Sequence, residues 1–352
     1  MKLSIIIPVY NAERTIERAI RSIDTKATHE IICVNDGSTD GSLDVLKSLA
    51  RERSDINIID QANQGAAVAR NKGLEAMTGD AFMFLDADDE FLTGRIDFML
   101  KYYQANEDVE IVVGQLAREE HGTWVPIATH ESIRREALVN LQSCPEIMQS
   151  IGPGAKMFSA RFKNLRFDTD VTFCEEHTFI IQAYNQARDI QLIPTLIYGY
   201  NTEAESVTAS RVERFTAYLA DAEKVRQRVM RKLLLREERE YYSYRMDDLI
   251  VSYLIQNYLT EHPQLTSELI DQVIAYLREM QETDRSSEAF FRIIEAVEQA
   301  GRGWTKEIYQ PWRSALVQMG VGRPPYYIFK VKVLPKRTKF SSKQRLKRVL
   351  RR

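Results

Sequence analysis

An Asp-x-Asp pair, Asp86 and Asp88, lies in the segment FLDADDEF, directly after the apolar run AFMFL. Carboxylate oxygens are hard ligands that suit Mg²⁺ or Mn²⁺. A cation held there would neutralise charge on a departing diphosphate, the need of any transfer from a nucleoside diphosphate sugar. The expected division puts Asp88 on the metal. It puts Asp86, next to Ala87, near the donor ribose or a metal-bound water. An isolated Asp-x-Asp is more often a solvated turn. Its place here, after a buried strand and on a rim shared with Asp36, favours the functional reading.

Two further segments offer polar groups to the same donor. In VNDGSTDGS, Asp36 can accept from a ribose hydroxyl or from a base N–H such as uracil N3. It can equally serve a turn or a helix N-cap, although Asp40 and Ser42 are better placed to cap. In NQGAAVARNKGLEAMTGD, Asn63, Gln64 and Gly65 precede a helix carrying Arg70 and Asn71. A helix N-terminus offers free N–H groups to an anion. Arg70 pairs either with phosphate or with a neighbouring acid. Histidines 29, 121, 130 and 262 form no cluster, and His177 reads as a local packing or supporting residue rather than a metal ligand.

These groups need a scaffold, and the apolar pattern supplies one. Leu3–Tyr10 is a continuous β-branched run, as in a strand buried on both faces. Helical spacing over Ala12–Thr25, a strand at EIICVND, a helix over Ser42–Arg53 and a short strand at Ile56–Ile59 follow. A helix over Ala66–Met77, the strand AFMFLDA, a helix near Leu92–Tyr103 and a strand at Glu110–Gly114 continue the rhythm. Such alternation predicts an α/β fold, Rossmann-like, with a mostly parallel sheet and helices on both faces. Ligands bind outside the carboxyl ends of strands in such sheets. Tyr10-Asn11, Asn35-Asp36 and Asp86-Ala87-Asp88-Asp89 would therefore converge on one rim. Residues 115–150 read as irregular. KMFSARF, FDTDVTFCEEHTFIIQAY and IQLIPTLIYGY read as strand, loop, helix and two short strands. From about Arg211 the spacing is helical throughout, which predicts a helical appendage over 211–320 that binds acceptor, dimerises or does both.

The chain has 352 residues, 44% of them apolar, and a formal charge of −2. That balance argues against a nucleic-acid binder. Cys33, Cys144 and Cys174 have no metal spacing and suit a reducing compartment. No apolar stretch approaches the ~20 residues of a membrane span, and the N-terminus lacks a cleavage pattern, so a cytoplasmic location is expected. Residues 321–352 hold twelve Lys or Arg and no Asp or Glu. Leu346, Val349 and Leu350 keep helical spacing among them. This tail is expected to act as a basic amphipathic helix that brings the protein peripherally to an anionic membrane surface. A solvated tail is the plainer alternative.

SIIIPVYNAE, VNDGSTDGS, NQGAAVARNKGLEAMTGD and FLDADDEF, in this order and spacing, resemble the family 2 glycosyltransferases. The resemblance continues weakly through KMFSARFKNLRFD, CEEHTF and YNTEAESVT and covers about residues 1–210, the expected catalytic domain. It implies an inverting enzyme of glycosyltransferase-A fold, a UDP-linked or similar donor, and a glycan or lipid-linked saccharide acceptor. Pro8, Val9 and Tyr10 would line the nucleoside pocket beside Asn11, with Asp36 reading the base. The resemblance puts the general base in a Glu-Asp pair, which here reads Glu175-Glu176. Glu176 stands where Asp is usual, with Glu175 as the fallback, and Cys174 stands where Gly is common. The Gln-x-x-Arg-Trp motif of processive synthases is absent, which favours addition of one or a few sugars. A non-catalytic sugar-nucleotide-binding protein with a degenerate site is the rival reading. A nucleotidyltransferase would carry a Gly-rich loop where Tyr10-Asn11-Ala12-Glu13 stands.

Overall fold

The β-branched runs of the N-terminal half build a sheet whose carboxyl edge carries the acidic segments. The computed structural model describes residues 1–127, 130, 133–201, 215–282 and 287–321. In chain order the elements are β1 (Lys2–Val9), α1 (Ile16–Arg21), β2 (Thr28–Asp36), α2 (Ser42–Glu52), β3 (Ile56–Gln61), α3 (Ala66–Ala76), β4 (Ala81–Phe84) and β5 (Glu90–Phe91). Then come α4 (Arg95–Ala105), β6 (Val109–Glu120), β7 (Thr123–Pro126), β8 (Ala137–Val139), β9 (Lys156–Ser159), α5 (His177–Gln186) and β10 (Asp189–Tyr200). The strand order is β3-β2-β1-β4-β9-β6-β10-β5, with β7 on β6 and β8 on β10.

The half built by helical crossovers, β3-β2-β1-β4, is parallel throughout. The other half is mixed. β9 enters antiparallel between β4 and β6, because it follows a loop rather than a crossover helix. Ile6 pairs with Phe84 and Pro8 with Val34, so Asp86 and Asp36 leave the sheet at the same edge, flanking Tyr10-Asn11.

Alternation along each strand divides two cores. Leu3, Ile5, Ile7, Met83 and Leu85 face one way, against Ile16, Ile20 and Leu46 of α1 and α2 and Met99 of α4. Phe82 and Phe84 face the other way. They meet Phe158, Phe167 and Phe179 in an aromatic cluster with ring centroids 4.4–6.5 Å apart. On that face α3 crosses β1 so closely that a Cβ at Gly73 would stand 2.2 Å from Ile6 Cγ2.

Three expectations change. The first helix shrinks to six residues, since Ser22 turns its hydroxyl back onto the Ala19 carbonyl at 2.6 Å. Part of the stretch read as irregular is ordered strand: β6 runs on to Glu120 and turns into β7. IQLIPTLIYGY is one bulged strand rather than two. Its register slips between Leu192 and Leu196, where Pro194 has no N–H to give the ladder.

Two compact units divide the chain, residues 1–209 with 224–242 and residues 210–223 with 243–352. Residues 224–242, expected in the helical appendage, group with the first unit. There Arg228 pairs with Asp168 at 3.2 Å and Asp170 at 2.6 Å. The helices α6 (Phe215–Met230) and α7 (Arg236–Leu249) are shared between the units, and α8 (Gln256–Glu261) follows a π-turn. In the second unit α9 (Ser267–Glu282) buries Leu269, Val273, Leu277 and Met280. In α10 (Ser287–Ala300) and α11 (Lys306–Gln318), Ile294, Val297 and Trp312 are buried at helical spacing. The basic segment from residue 322 onward lies outside the described residues. No helix among the described residues is long and apolar enough to cross a membrane.

Candidate active site

Asp86 leaves β4 and is held by two long-range partners. Its backbone N–H donates to Tyr198 Oη at 3.0 Å, and its Oδ1 accepts from Arg70 Nη2 at 2.9 Å. The turn closes through Asp89 N–H to the Asp86 carbonyl at 3.1 Å. Arg18 of α1 donates to the Asp88 carbonyl at 2.6 Å. Asp89 points inward. Its carboxylate accepts from Tyr198 Oη at 2.8 Å and from the Asn201 amide at 2.9 Å. Burial first, then the charges of Asp86 and Asp88, push its carboxyl up to about 8.

That crowding of negative charge is what a divalent cation would offset. Among the described residues no group of three or more His, Cys, Asp or Glu forms a metal cage. A hard cation needs less from the protein: one or two carboxylates, with substrate phosphates and water completing the shell. The half-buried Asp86 and Asp88 fit that donor set.

The Glu175-Glu176 segment is brought to the same place by Arg70. This side chain is 9% exposed, and its Nη1 donates to Glu175 Oε1 at 3.1 Å while Nη2 holds Asp86. Its guanidinium lies over the Phe167 ring, 5.4 Å from the centroid. Both terminal nitrogens are thus engaged by acids, so of the two readings of Arg70 the ion pair is the one adopted. Asn71 clamps the Phe167 backbone in both directions, at 2.9 and 3.0 Å. Asp168 closes the intervening loop, donating its N–H to the Glu175 carbonyl at 3.1 Å and accepting from Thr178 Oγ1 at 2.6 Å.

Burial, then Glu176, push the Glu175 carboxyl up to about 7, against the pull of Arg70. Glu176 is the N-cap residue of α5 but makes no side-chain cap bond. His177 is buried with Nδ1 3.0 Å from Tyr242 Oη. Burial lowers its imidazole to about 4, so it is neutral and packs as expected. Cys174 has φ +61°, the left-handed region, immediately before the two glutamates.

At the nucleoside end the expected residues meet different fates. Tyr10 is 52% exposed and free to offer a ring face, and Pro8 is half-buried. Val9 and Ala87 belong to the core, so only their backbone groups can line a pocket. Asn11, at φ +49°, accepts the Thr39 N–H at 2.8 Å and gives its own N–H to Ser38 Oγ at 3.1 Å. It therefore ties the ends of β1 and β2 together. Asp36 is 2% exposed. Its Oδ1 accepts from Gln61 at 2.7 Å and the Gln64 amide at 2.9 Å, and its Oδ2 accepts from the Gly65 amide at 2.8 Å. Gly65, at φ +95°, opens α3, and Asn63 is exposed. Asp40 accepts the Ser42 N–H at 3.0 Å, but the N-cap position of α2 is Gly41, not Asp40 or Ser42.

Tyr198, which holds the Asp86 amide and Asp89, is a residue that pattern reading passed over. Asp89 was visible as a third acid on the rim. Tyr198 sits in an ordinary strand and carries no local signal.

The model of the glycosyl transferase family 2 matches residues 4–171. A putative glycosyltransferase TagX of Staphylococcus aureus (strain MSSA476) is 34% identical over 99% of this chain and 100% of its own length. The chain belongs to glycosyltransferase family 2, and the protein is a glycosyltransferase. The fold is shared with S. aureus TarS 1–349 in complex with UDP-GlcNAc, at TM-score 0.70 and 18% identity over 91% of this chain and 93% of that one. It is shared more loosely with the mannosyltransferase PcManGT of Pyrobaculum calidifontis in complex with GDP-Man and Mn²⁺, at TM-score 0.53 and 15% identity over 94% and 86%.

Proposed function

We propose that the protein transfers a sugar, with inversion, from a UDP-sugar to a hydroxyl of a glycan or lipid-linked saccharide. The observation that carries this reading is Arg70, which gathers Asp86 and Glu175 into one acidic site. The TarS fold seen with UDP-GlcNAc supports the choice of donor.

The acceptor hydroxyl gives its proton to the Glu176 carboxylate as its oxygen attacks the anomeric carbon, on the face opposite the diphosphate. Such help is typically worth ~10²–10⁴-fold. One displacement inverts the centre, so an α-linked donor gives a β-product. Asp88, with Asp86, would hold a divalent cation, Mn²⁺ or Mg²⁺. When bound, that ion neutralises charge on the departing diphosphate. Asp36 holds the 63–65 loop and keeps an acceptor lone pair on Oδ2, which accepts a single amide, for a base N–H. Tyr10 offers an exposed ring to the nucleoside. Asn63 and the α3 amides lie on the phosphate side.

A thermal-shift panel of UDP-, GDP- and dTDP-sugars with Mn²⁺ selects the donor; a ligand at a hundred times its Kd stabilises by ~2.7 kcal/mol. With that donor, Glu176→Gln is expected to bind as wild type and to lose turnover by at least ~10²-fold. Full turnover in Glu176→Gln with loss in Glu175→Gln would move the base by one residue. An α-product by NMR would exclude single displacement.

A further inference from the structure

Lys156 opens β9 and is fully buried, an unusual place for a lysine. Its Nζ donates to Ser150 Oγ at 2.8 Å, the Gly152 carbonyl at 2.5 Å and the Gly154 carbonyl at 3.3 Å. An ammonium has three donors, and all are used. The residues it grips form a turn with two further anchors. Tyr184 of α5 donates to the Ser150 carbonyl at 2.7 Å. A Cβ at Gly154 would stand 3.3 Å from the ring of Tyr198, the residue that holds the Asp86 amide and Asp89. One turn therefore touches both the helix that begins after Glu176 and the tyrosine that fixes the Asp-x-Asp loop.

We propose that Lys156 is a positioning residue for the transfer. Its ammonium fixes the Ser150–Gly154 turn that joins α5, the helix Glu176 begins, to Tyr198, which holds the Asp-x-Asp loop, and adds a positive charge that acts on Glu176. The proposal rests on the reading of Glu176 as the base.

The surrounding charges fit this role. Burial lowers the Lys156 ammonium to about 7, while attraction to Glu176 opposes the fall. His130, which also feels Lys156, is held neutral: burial, then Lys156, push it down to about 3, and burial raises the Tyr184 hydroxyl anchored on the same turn. Glu176 in turn faces Arg70 and Glu175. Burial thus works against the charge on Lys156, and Glu176 works for it.

The test uses the full chain labelled with [¹³Cε]lysine. One lysine signal is expected to titrate near pH 7, to vanish in Lys156→Met and to move to lower pH by roughly half a unit or more in Glu176→Gln. Lys156→Met is expected to bind the selected UDP-sugar as wild type, to lose turnover by about tenfold or more and to show an altered pH profile, with Lys156→Arg less impaired. An unmoved lysine signal in Glu176→Gln, or wild-type turnover and pH profile in Lys156→Met, would overturn the proposal. If Lys156→Met does not fold, the titration in Glu176→Gln decides alone. Inactive Glu176→Gln with an unmoved signal removes only the role of Lys156. Fully active Glu176→Gln removes the base reading, and this proposal with it.

Discussion

Arg70 Nη1 lies 3.1 Å from Glu175 Oε1, joining residues 105 positions apart. The same guanidinium holds Asp86 at 2.9 Å, so one buried cation connects the segment expected to bind metal with the segment expected to carry the base. A planar fork can serve two carboxylates at fixed angles, whereas an ammonium cannot.

Arg70→Met should therefore destabilise the first unit by about 2–3 kcal/mol. That is below the 3–5 kcal/mol typical of a fully buried pair, because solvent screens Asp86. Arg70→Lys should recover part of the stability but little turnover, since Asp86 and Glu175 would no longer be held at one spacing. Urea denaturation and UDP release from the selected donor check both. Wild-type stability in Arg70→Met would mean that the bridge is incidental.

Glu175 gives a pH dependence of defined sign. Its carboxyl is held near 7 in the fold by burial and by Glu176, against about 4.3 for an ordinary glutamate. The folded state therefore binds the proton more tightly. The stabilisation is fully present below about pH 4.3 and is lost as pH rises through about 7. Between those values the wild type should lose stability that Glu175→Gln does not lose, seen as different slopes of melting temperature against pH. Parallel slopes would show that Glu175 is ionised throughout.

Asp88→Asn should leave the melting temperature of the metal-free protein nearly unchanged, because Asp88 is a half-buried rim side chain outside both cores. The extra stabilisation that Mn²⁺ gives in the presence of UDP should disappear, together with metal-dependent turnover. A Mn²⁺ response equal to that of the wild type would move the cation to another ligand.

The parts of this architecture that depend on nearest neighbours were legible in the chain. Ile5–Ile7, Ile31–Val34 and Phe82–Phe84 announce buried strands by composition, and the acids at their ends announce a rim. Asp36 and Asp86 were readable as polar residues on that rim, and Arg70 as a partner for a neighbouring acid, but not the other groups that hold them. The Asp36 oxygens accept from Gln61 and two amides, and the Asp86 amide donates to Tyr198, 112 residues away. Lys156 is hidden for the same reason: its burial depends on a glycine-rich turn closed by Tyr184 and Tyr198. Val9 illustrates the converse. It stands among the nucleoside-facing positions by order, yet strand alternation sends its side chain into the core.

Cys174 offers a final test of how the acidic segment is aimed. Its φ of +61° is a conformation glycine adopts freely and other residues at a cost of roughly 1–2 kcal/mol. Its carbonyl accepts the His177 N–H at 3.1 Å, starting the turn that becomes α5 and presenting Glu175 and Glu176 on the way. Cys174→Gly removes the strain but also a small buried side chain and some backbone stiffness. These effects oppose one another, so its stability should stay within about 1 kcal/mol of wild type. Cys174→Val places a β-branched residue in the left-handed region and should cost more than ~2 kcal/mol. Turnover should follow the same order, preserved to within a few-fold in the glycine variant and largely lost in valine. Urea denaturation and UDP release measure the two effects separately. A valine variant as stable and active as wild type would show that this backbone conformation does not aim the glutamates.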